Sequence, residues 1–142
     1  MPELPNAYPP GTALLLFEDP DTPAHLHLVL TEANAAGEVI LVSITTRRAK
    51  SETLVCLDAG DHEFIRHPSV IAYAYSKIVK VQELAALEAQ GEVVRKQPAS
   101  PALLSRARSG MRDTDRAPRE VQALFRQLFP QHSSHRRMYG EY

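Results

Sequence analysis

Two stretches of this 142-residue chain place reactive side chains at the ends of apolar runs. His25 and His27 stand in HLHLVLT, and Thr45, Thr46, Arg47 and Arg48 close GEVILVSITTRR. Imidazoles exchange protons near neutral pH, while hydroxyl and guanidinium groups hold an anion, so the set is equipped for acid–base work on a charged substrate. The runs flank EANAAG, whose Asn34 and Gly37 suit the φ > 0 positions of a hairpin loop. A hairpin closed there brings His25 and Thr46 to one open end. The same residues also fit a plainer description, in which His25 and His27 are half-exposed strand residues on one face and the threonines serve β propensity.

A second concentration is DAGDHEFIRHPS, with Asp58, Asp61, His62, Glu63 and His67. It lacks the compact Cys/His pattern of a metal site and is rich in turn formers, so the expectation is a turn-rich loop and no metal. Phe64 and Ile65 are expected to plug a barrel end, with His62 or Arg66 bordering a groove. Ser69 is placed either to cap the turn before the next strand or to touch substrate. Cys56, inside TLVCL and the only cysteine, excludes an intrachain disulfide and a cysteine zinc site and is read as a small core residue.

The elements that must hold these groups are short. The arm MPELPNAYPP, residues 1–10, is too rich in proline for a ladder or helix and is expected to run extended over the surface. GTALLLFEDP, HLHLVLT and GEVILVSITT read as a three-strand meander, SETLVCL as a fourth strand, and VIAYAYSKIVKV, residues 70–81, as a fifth. In that fifth strand Ile71, Tyr73 and Tyr75 are expected on one face and Val70, Ala72 and Ala74 on the other. VQELAALEAQG then switches to helical spacing and ends at Gly91, and GEVVRKQ is a candidate short edge strand. Ser100 and Pro101 start a helix that Gly110 should end, and Pro118 starts another with Val121, Leu124, Phe125 and Leu128 along one stripe. Residues 131–142 read as a flexible polar tail.

Length supports one domain, expected as a barrel over 11–98 and a helical extension over 99–130 packed upon it. The fold class is mainly β (α+β): a small SH3-like antiparallel barrel of about five strands with two or three C-terminal helices. The net charge of −1 argues against a protein that coats nucleic acid or lies on an anionic membrane, although residues 1–91 carry 12 acids against 6 Lys/Arg and residues 92–142 carry 5 against 10. Arginines 106, 108, 112, 116 and 119 are read either as a phosphate-binding face or as solvated helix sides. A start without a basic or apolar leader, and no apolar run long enough to span a bilayer, give the expectation of a cytoplasmic protein with no membrane partner.

The order of these segments resembles the PemK/MazF-like type II toxins. GTALLLFEDP is similar to that family's opening strand, and HLHLVLTEANAAGEVILVSITT to its second and third strands, the latter ending in an Ile/Val-Thr-Thr/Ser sequence. HPSVIAYAYSKIVKVQEL resembles the segment in which a serine precedes an apolar strand and a short helix. The likeness spans roughly residues 11–110. It implies a metal-independent endoribonuclease without cofactor, acting on single-stranded RNA by 2′-OH attack, homodimeric and held inactive by an antitoxin protein. On that resemblance His25, Thr45, Thr46 and Arg47 are the catalytic candidates, and His27, Arg48, His62, Arg66 and Ser69 the substrate-binding ones. His25 stands where the family has an arginine, and an imidazole can stabilise phosphorane charge only when protonated. The alternative expectation is a non-catalytic barrel whose groove and basic helices bind a protein tail or nucleic acid.

Overall fold

The computed structural model describes residues 6–17, 20–21 and 23–130; the expected tail, the first five residues of the arm and part of the EDPDTPA loop lie outside them. Strands β1 (Ala13–Leu16), β2 (His25–Val29), β3 (Glu38–Thr46), β4 (Cys56–Leu57) and β5 (Ser69–Lys80) are followed by α1 (Val81–Ala89), β6 (Val93–Lys96), α2 (Pro101–Asp113) and α3 (Arg119–Leu128). The six strands form one antiparallel sheet in the order β4-β5-β3-β2-β1-β6, curled into a half-barrel. The mainly β, α+β barrel-like architecture is as expected, with the meander β1-β2-β3 at its centre and GEVVRKQ supplying the sixth, edge strand against β1. Among the described residues no helix is long and apolar enough to cross a membrane.

Both faces of this sheet are apolar, which is why β1 reads as an unbroken apolar run rather than an alternation. One face sends Ala13, Leu15, Leu26, Leu28, Ile40, Val42 and Ile44 into a core closed by α2 and α3 through Leu103, Ala107, Val121 and Phe125. The other sends Leu14, Leu16, Val29, Val39 and Leu41 into a smaller core under α1. That second core stops short of the far ends of β2 and β3, where polar residues take over the same face.

Local chemistry explains the ends of the helices. The Ser100 hydroxyl accepts from the Leu103 N–H at 3.1 Å with Pro101 in the first turn, capping α2. After α1, Gly91 takes φ +79° and the Glu92 N–H reaches back to the Leu87 carbonyl at 2.9 Å, a turn open to glycine at low cost. Two expectations are corrected. Asn34 does not adopt positive φ; its side chain holds the loop instead, accepting from the Ala36 and Glu38 N–H groups, while Gly37 alone takes φ +76°. Gly110 does not end α2, which runs on to Asp113, because the glycine serves close packing rather than a cap.

The arm is also anchored more firmly than its composition suggests. Tyr8 is buried in the second core, and its hydroxyl donates to Glu88 Oε1 at 2.7 Å. Arg95 lies over the Tyr8 ring at 4.4 Å and donates to Glu88 Oε2 at 2.8 Å and to the Ala7 carbonyl at 2.8 Å. Burial, and then the facing Glu88, push the Tyr8 hydroxyl up to about 12. Burial alone would raise Glu88, but the hydrogen bonds from Arg95 and Tyr8 outweigh it and hold the carboxyl below its ordinary range. A depressed carboxyl contributes stability above its unfolded pKa of about 4.3, and that contribution vanishes as the pH falls through the folded value. Glu88→Gln should therefore destabilise the protein slightly at pH 7, by roughly 1 kcal/mol or less given its partial exposure, and by less at pH 3. Thermal unfolding of both proteins at the two pH values checks this; an equal deficit at both would remove the ionic contribution.

Candidate active site

The pairing of β2 with β3 sets His27 opposite Ser43 and Leu26 opposite Ile44. Alternation then puts His25, His27, Ser43 and Thr45 on one face of the sheet. Together with Leu16, Pro23, Tyr75 and Lys77 they line a cleft of about 400 Å³. His25 is exposed at its rim, whereas His27 is only 5 % exposed. The His27 Nδ1 lies 3.0 Å from the His25 carbonyl oxygen. A carbonyl can only accept, so Nδ1 carries the proton and Nε2 is the basic nitrogen of the neutral ring.

Tyr75 and Lys77 reach the cleft through an irregularity in β5. Ala72 pairs with Ser43, yet the next pair on this side is Lys77 with Leu41, so β5 inserts extra residues opposite Val42. The Ala74 N–H, freed by the bulge, donates to Glu52 Oε2 at 3.1 Å, and the Ser76 hydroxyl donates to the Tyr73 carbonyl at 2.6 Å. Tyr73 stays in the large core, where its hydroxyl donates to the Ala107 carbonyl at 2.8 Å and burial pushes its pKa well above the ordinary tyrosine value. Tyr75 emerges on the opposite face, 71 % exposed. The expectation that Ile71, Tyr73 and Tyr75 share a face is corrected by this bulge.

The other candidates lie elsewhere. Thr46 follows Thr45 and so faces away, with Oγ1 2.9 Å from His67 Nε2. Arg47 and Arg48 lie exposed past the end of β3, where the Arg47 N–H donates to the Pro68 carbonyl and the Arg48 N–H to the Ser51 hydroxyl. Ser69 is buried and donates to the His67 carbonyl at 2.9 Å, as a turn-holding residue does. His62 is buried as well; Nδ1 accepts from the Phe64 N–H at 3.0 Å and Nε2 donates to the Gln97 carbonyl, so both nitrogens are engaged. Arg66 is exposed and does not line the cleft. Ile65 plugs the large core, while Phe64 remains 40 % exposed.

Asp61 of the acidic loop accepts from the Asp58 N–H at 2.7 Å and pairs with Arg106 at 3.3 Å, and among the described residues no three metal-binding side chains cluster. Arg106 also donates to the Cys56 carbonyl at 2.6 Å, leaving that cysteine half-buried beside β5. Arg108 donates to the Leu30 carbonyl at 3.0 Å and lies 5.1 Å from the Phe129 ring. These two arginines fasten α2 to the sheet.

No protein-family model matches the chain, and no curated protein is significantly similar to it. Among the described residues the lining of the cleft combines two imidazoles, two aliphatic hydroxyls, one phenol and one ammonium group, with no carboxylate. Hard divalent cations such as Mg²⁺ are held through carboxylate oxygens, so this donor set suits an anion better than a cation. The sequence had singled out three of these residues: His25, His27 and Thr45. Ser43 carries the same face signal, being two residues from Thr45 on the strand, whereas Lys77 has no local signal at all.

Proposed function

We propose that the cleft binds single-stranded RNA and cleaves it without a metal, in the manner of the PemK/MazF-like toxins that the segment order resembles. The observation that supports this reading is the convergence of His25, His27, Thr45 and Lys77 from three neighbouring strands on one cleft. His27 Nε2 takes the proton from the ribose 2′-OH, the 2′-oxygen attacks phosphorus, the P–O5′ bond breaks, and His25 protonates the departing 5′-oxygen. The products are a 2′,3′-cyclic phosphate and a 5′-hydroxyl. Lys77, in place of the Arg47 that the resemblance implies, stabilises the charge that builds on the phosphoryl oxygens, and Ser43 and Thr45 donate to the same oxygens. The exposed Tyr75 ring offers a stacking platform for a base, a contact worth about 1–3 kcal/mol. An antitoxin protein would inhibit by filling this cleft.

Incubating the purified protein with a mixed RNA pool in excess EDTA and mapping the ends tests the reading. Cyclic phosphate ends that are absent when the 2′-OH is replaced by hydrogen are the expected result. An intact pool, or cleavage of the deoxy substrate, would overturn it. Tyr75→Ala should raise KM about tenfold and change kcat little, since stacking acts on binding.

A further inference from the structure

The bulge in β5 decides where Tyr75 stands, and its supports are few. Four residues, Tyr73 to Ser76, face Val42 alone before the ladder with β3 resumes at Lys77 opposite Leu41. Tyr73 is pinned in the large core by its hydroxyl, and Ser76 is buried with its own hydroxyl on the Tyr73 carbonyl. The excursion therefore comes down to Ala74 and Tyr75, both exposed. Among the described residues, the side chain that reaches this pair by a hydrogen bond is Glu52, whose Oε2 accepts from the Ala74 N–H at 3.1 Å.

Glu52 itself has little freedom. It follows a tight turn in which the Arg48 N–H donates to the Ser51 hydroxyl at 2.8 Å and the Ser51 N–H to the Arg48 carbonyl at 3.1 Å. Shortly after it, the Val55 carbonyl accepts from the Ile71 N–H at 3.1 Å. The strut thus springs from a segment fixed on both sides.

Stability alone would not select this pairing. Glu52 Oε1 is enclosed and has no hydrogen-bond partner among the described residues, and enclosing a carboxylate oxygen in that way costs free energy. Nor does Ala74 need this acceptor, because the residue is exposed and water can take its N–H. A contact that is costly on one side and dispensable on the other contributes position: it holds the backbone of the bulge in one place. Lys77 is already back in the ladder, so the side chain that depends on the strut is the one directly after Ala74.

We infer that Glu52 is a positioning residue, which fixes the β5 bulge through the Ala74 N–H and so sets the Tyr75 ring at the cleft as a stacking platform. Its consequence for binding rests on the nucleic-acid reading of the cleft, whereas the anchoring of the bulge stands on geometry alone.

The test compares wild type, Glu52→Ala, Glu52→Gln, Tyr75→Ala and the double variant Glu52→Ala/Tyr75→Ala. Fluorescence anisotropy with a labelled single-stranded 2′-fluoro RNA, which cannot be cut by 2′-OH attack, gives the affinity. Cleavage of the all-ribose strand gives KM and kcat, and amide hydrogen exchange by NMR reads the Ala74 N–H. Glu52→Ala should weaken binding and raise KM roughly 3- to 10-fold, with kcat within about twofold of wild type. The double variant should bind no worse than Tyr75→Ala, since the strut acts through that ring. Glutamine keeps an oxygen for the Ala74 N–H, so Glu52→Gln should restore both the affinity and the slow Ala74 exchange. The melting temperature of Glu52→Ala should stay within about 2 °C of wild type.

Wild-type affinity in Glu52→Ala, losses that multiply in the double variant, a glutamine variant as impaired as the alanine one, or a loss confined to kcat with a markedly lower melting temperature overturns the positioning role. Slow Ala74 exchange in wild type and Glu52→Gln but fast exchange in Glu52→Ala, with no RNA bound by any of them, would refute the RNA reading and leave the anchor standing. RNA binding with identical Ala74 exchange in all three would do the reverse.

Discussion

Gly110→Ala is expected to lower the melting temperature by roughly 5–10 °C, although alanine is the better helix former. A Cβ at this position would lie 1.9 Å from the Tyr73 hydroxyl oxygen, 2.6 Å from its Cζ and 2.7 Å from Val55 Cγ2. The Tyr73 ring cannot retreat, because it is fully buried in the large core and its hydroxyl is tied to the Ala107 carbonyl of the same helix. The strain must therefore lift α2 or break that bond. Overpacking of this kind costs about 1–3 kcal/mol. Losing a buried hydroxyl–carbonyl bond costs about 1–3 kcal/mol more, against a propensity gain of about 1 kcal/mol. Urea and thermal unfolding measure the balance. Tyr73→Phe in the same chain removes the shortest contact, so the double variant should be more stable than the sum of the two single effects predicts. A Gly110→Ala protein more stable than wild type would show that α2 does not approach β5 this closely.

That glycine illustrates which features were legible in the sequence. The central meander was readable because each strand is a contiguous apolar run and each connection is short, and α3 because Val121, Leu124 and Phe125 recur at helical spacing and are all buried. His25 and Thr45 could be brought together since a hairpin register is local. Strict alternation also separates Thr45 from Thr46, a distinction available in the sequence and realised in the sheet, where only Thr45 lines the cleft. Lys77 and Tyr75 were hidden for a different reason. Their face depends on the β5 bulge, and its freed N–H is satisfied by Glu52, 22 residues earlier in the chain. His62 was ambiguous in the same way, because its partner carbonyl on Gln97 is 35 residues distant. Gly110 carried the two usual meanings of a helical glycine, an end or a close approach, and only tertiary packing chooses between them.

The largest functional effect is expected from His27→Ala, which should reduce kcat/KM for RNA cleavage about 10²- to 10⁴-fold, the usual contribution of a positioned general base. His27 is the stronger base candidate because its tautomer is fixed by the His25 carbonyl, whereas the His25 ring is exposed at the rim of the cleft. The pH dependence separates the two roles. A base must be neutral, so the rate rises with pH through its pKa; an acid must be protonated, so the rate falls above its own. Wild type should give a bell-shaped profile of kcat/KM, His27→Ala should lose the acidic limb, and His25→Ala the alkaline limb. Loss of the opposite limb in each variant would exchange the two assignments. Lys77→Met should lower kcat by a large factor without altering either limb, since the two limbs belong to the imidazoles. Arg47→Ala is the contrasting case: its side chain does not line the cleft, and cleavage should fall less than threefold. A severe loss on removing Arg47, together with near-wild-type cleavage by His27→Ala, would move the chemistry out of this cleft to the exposed end of β3.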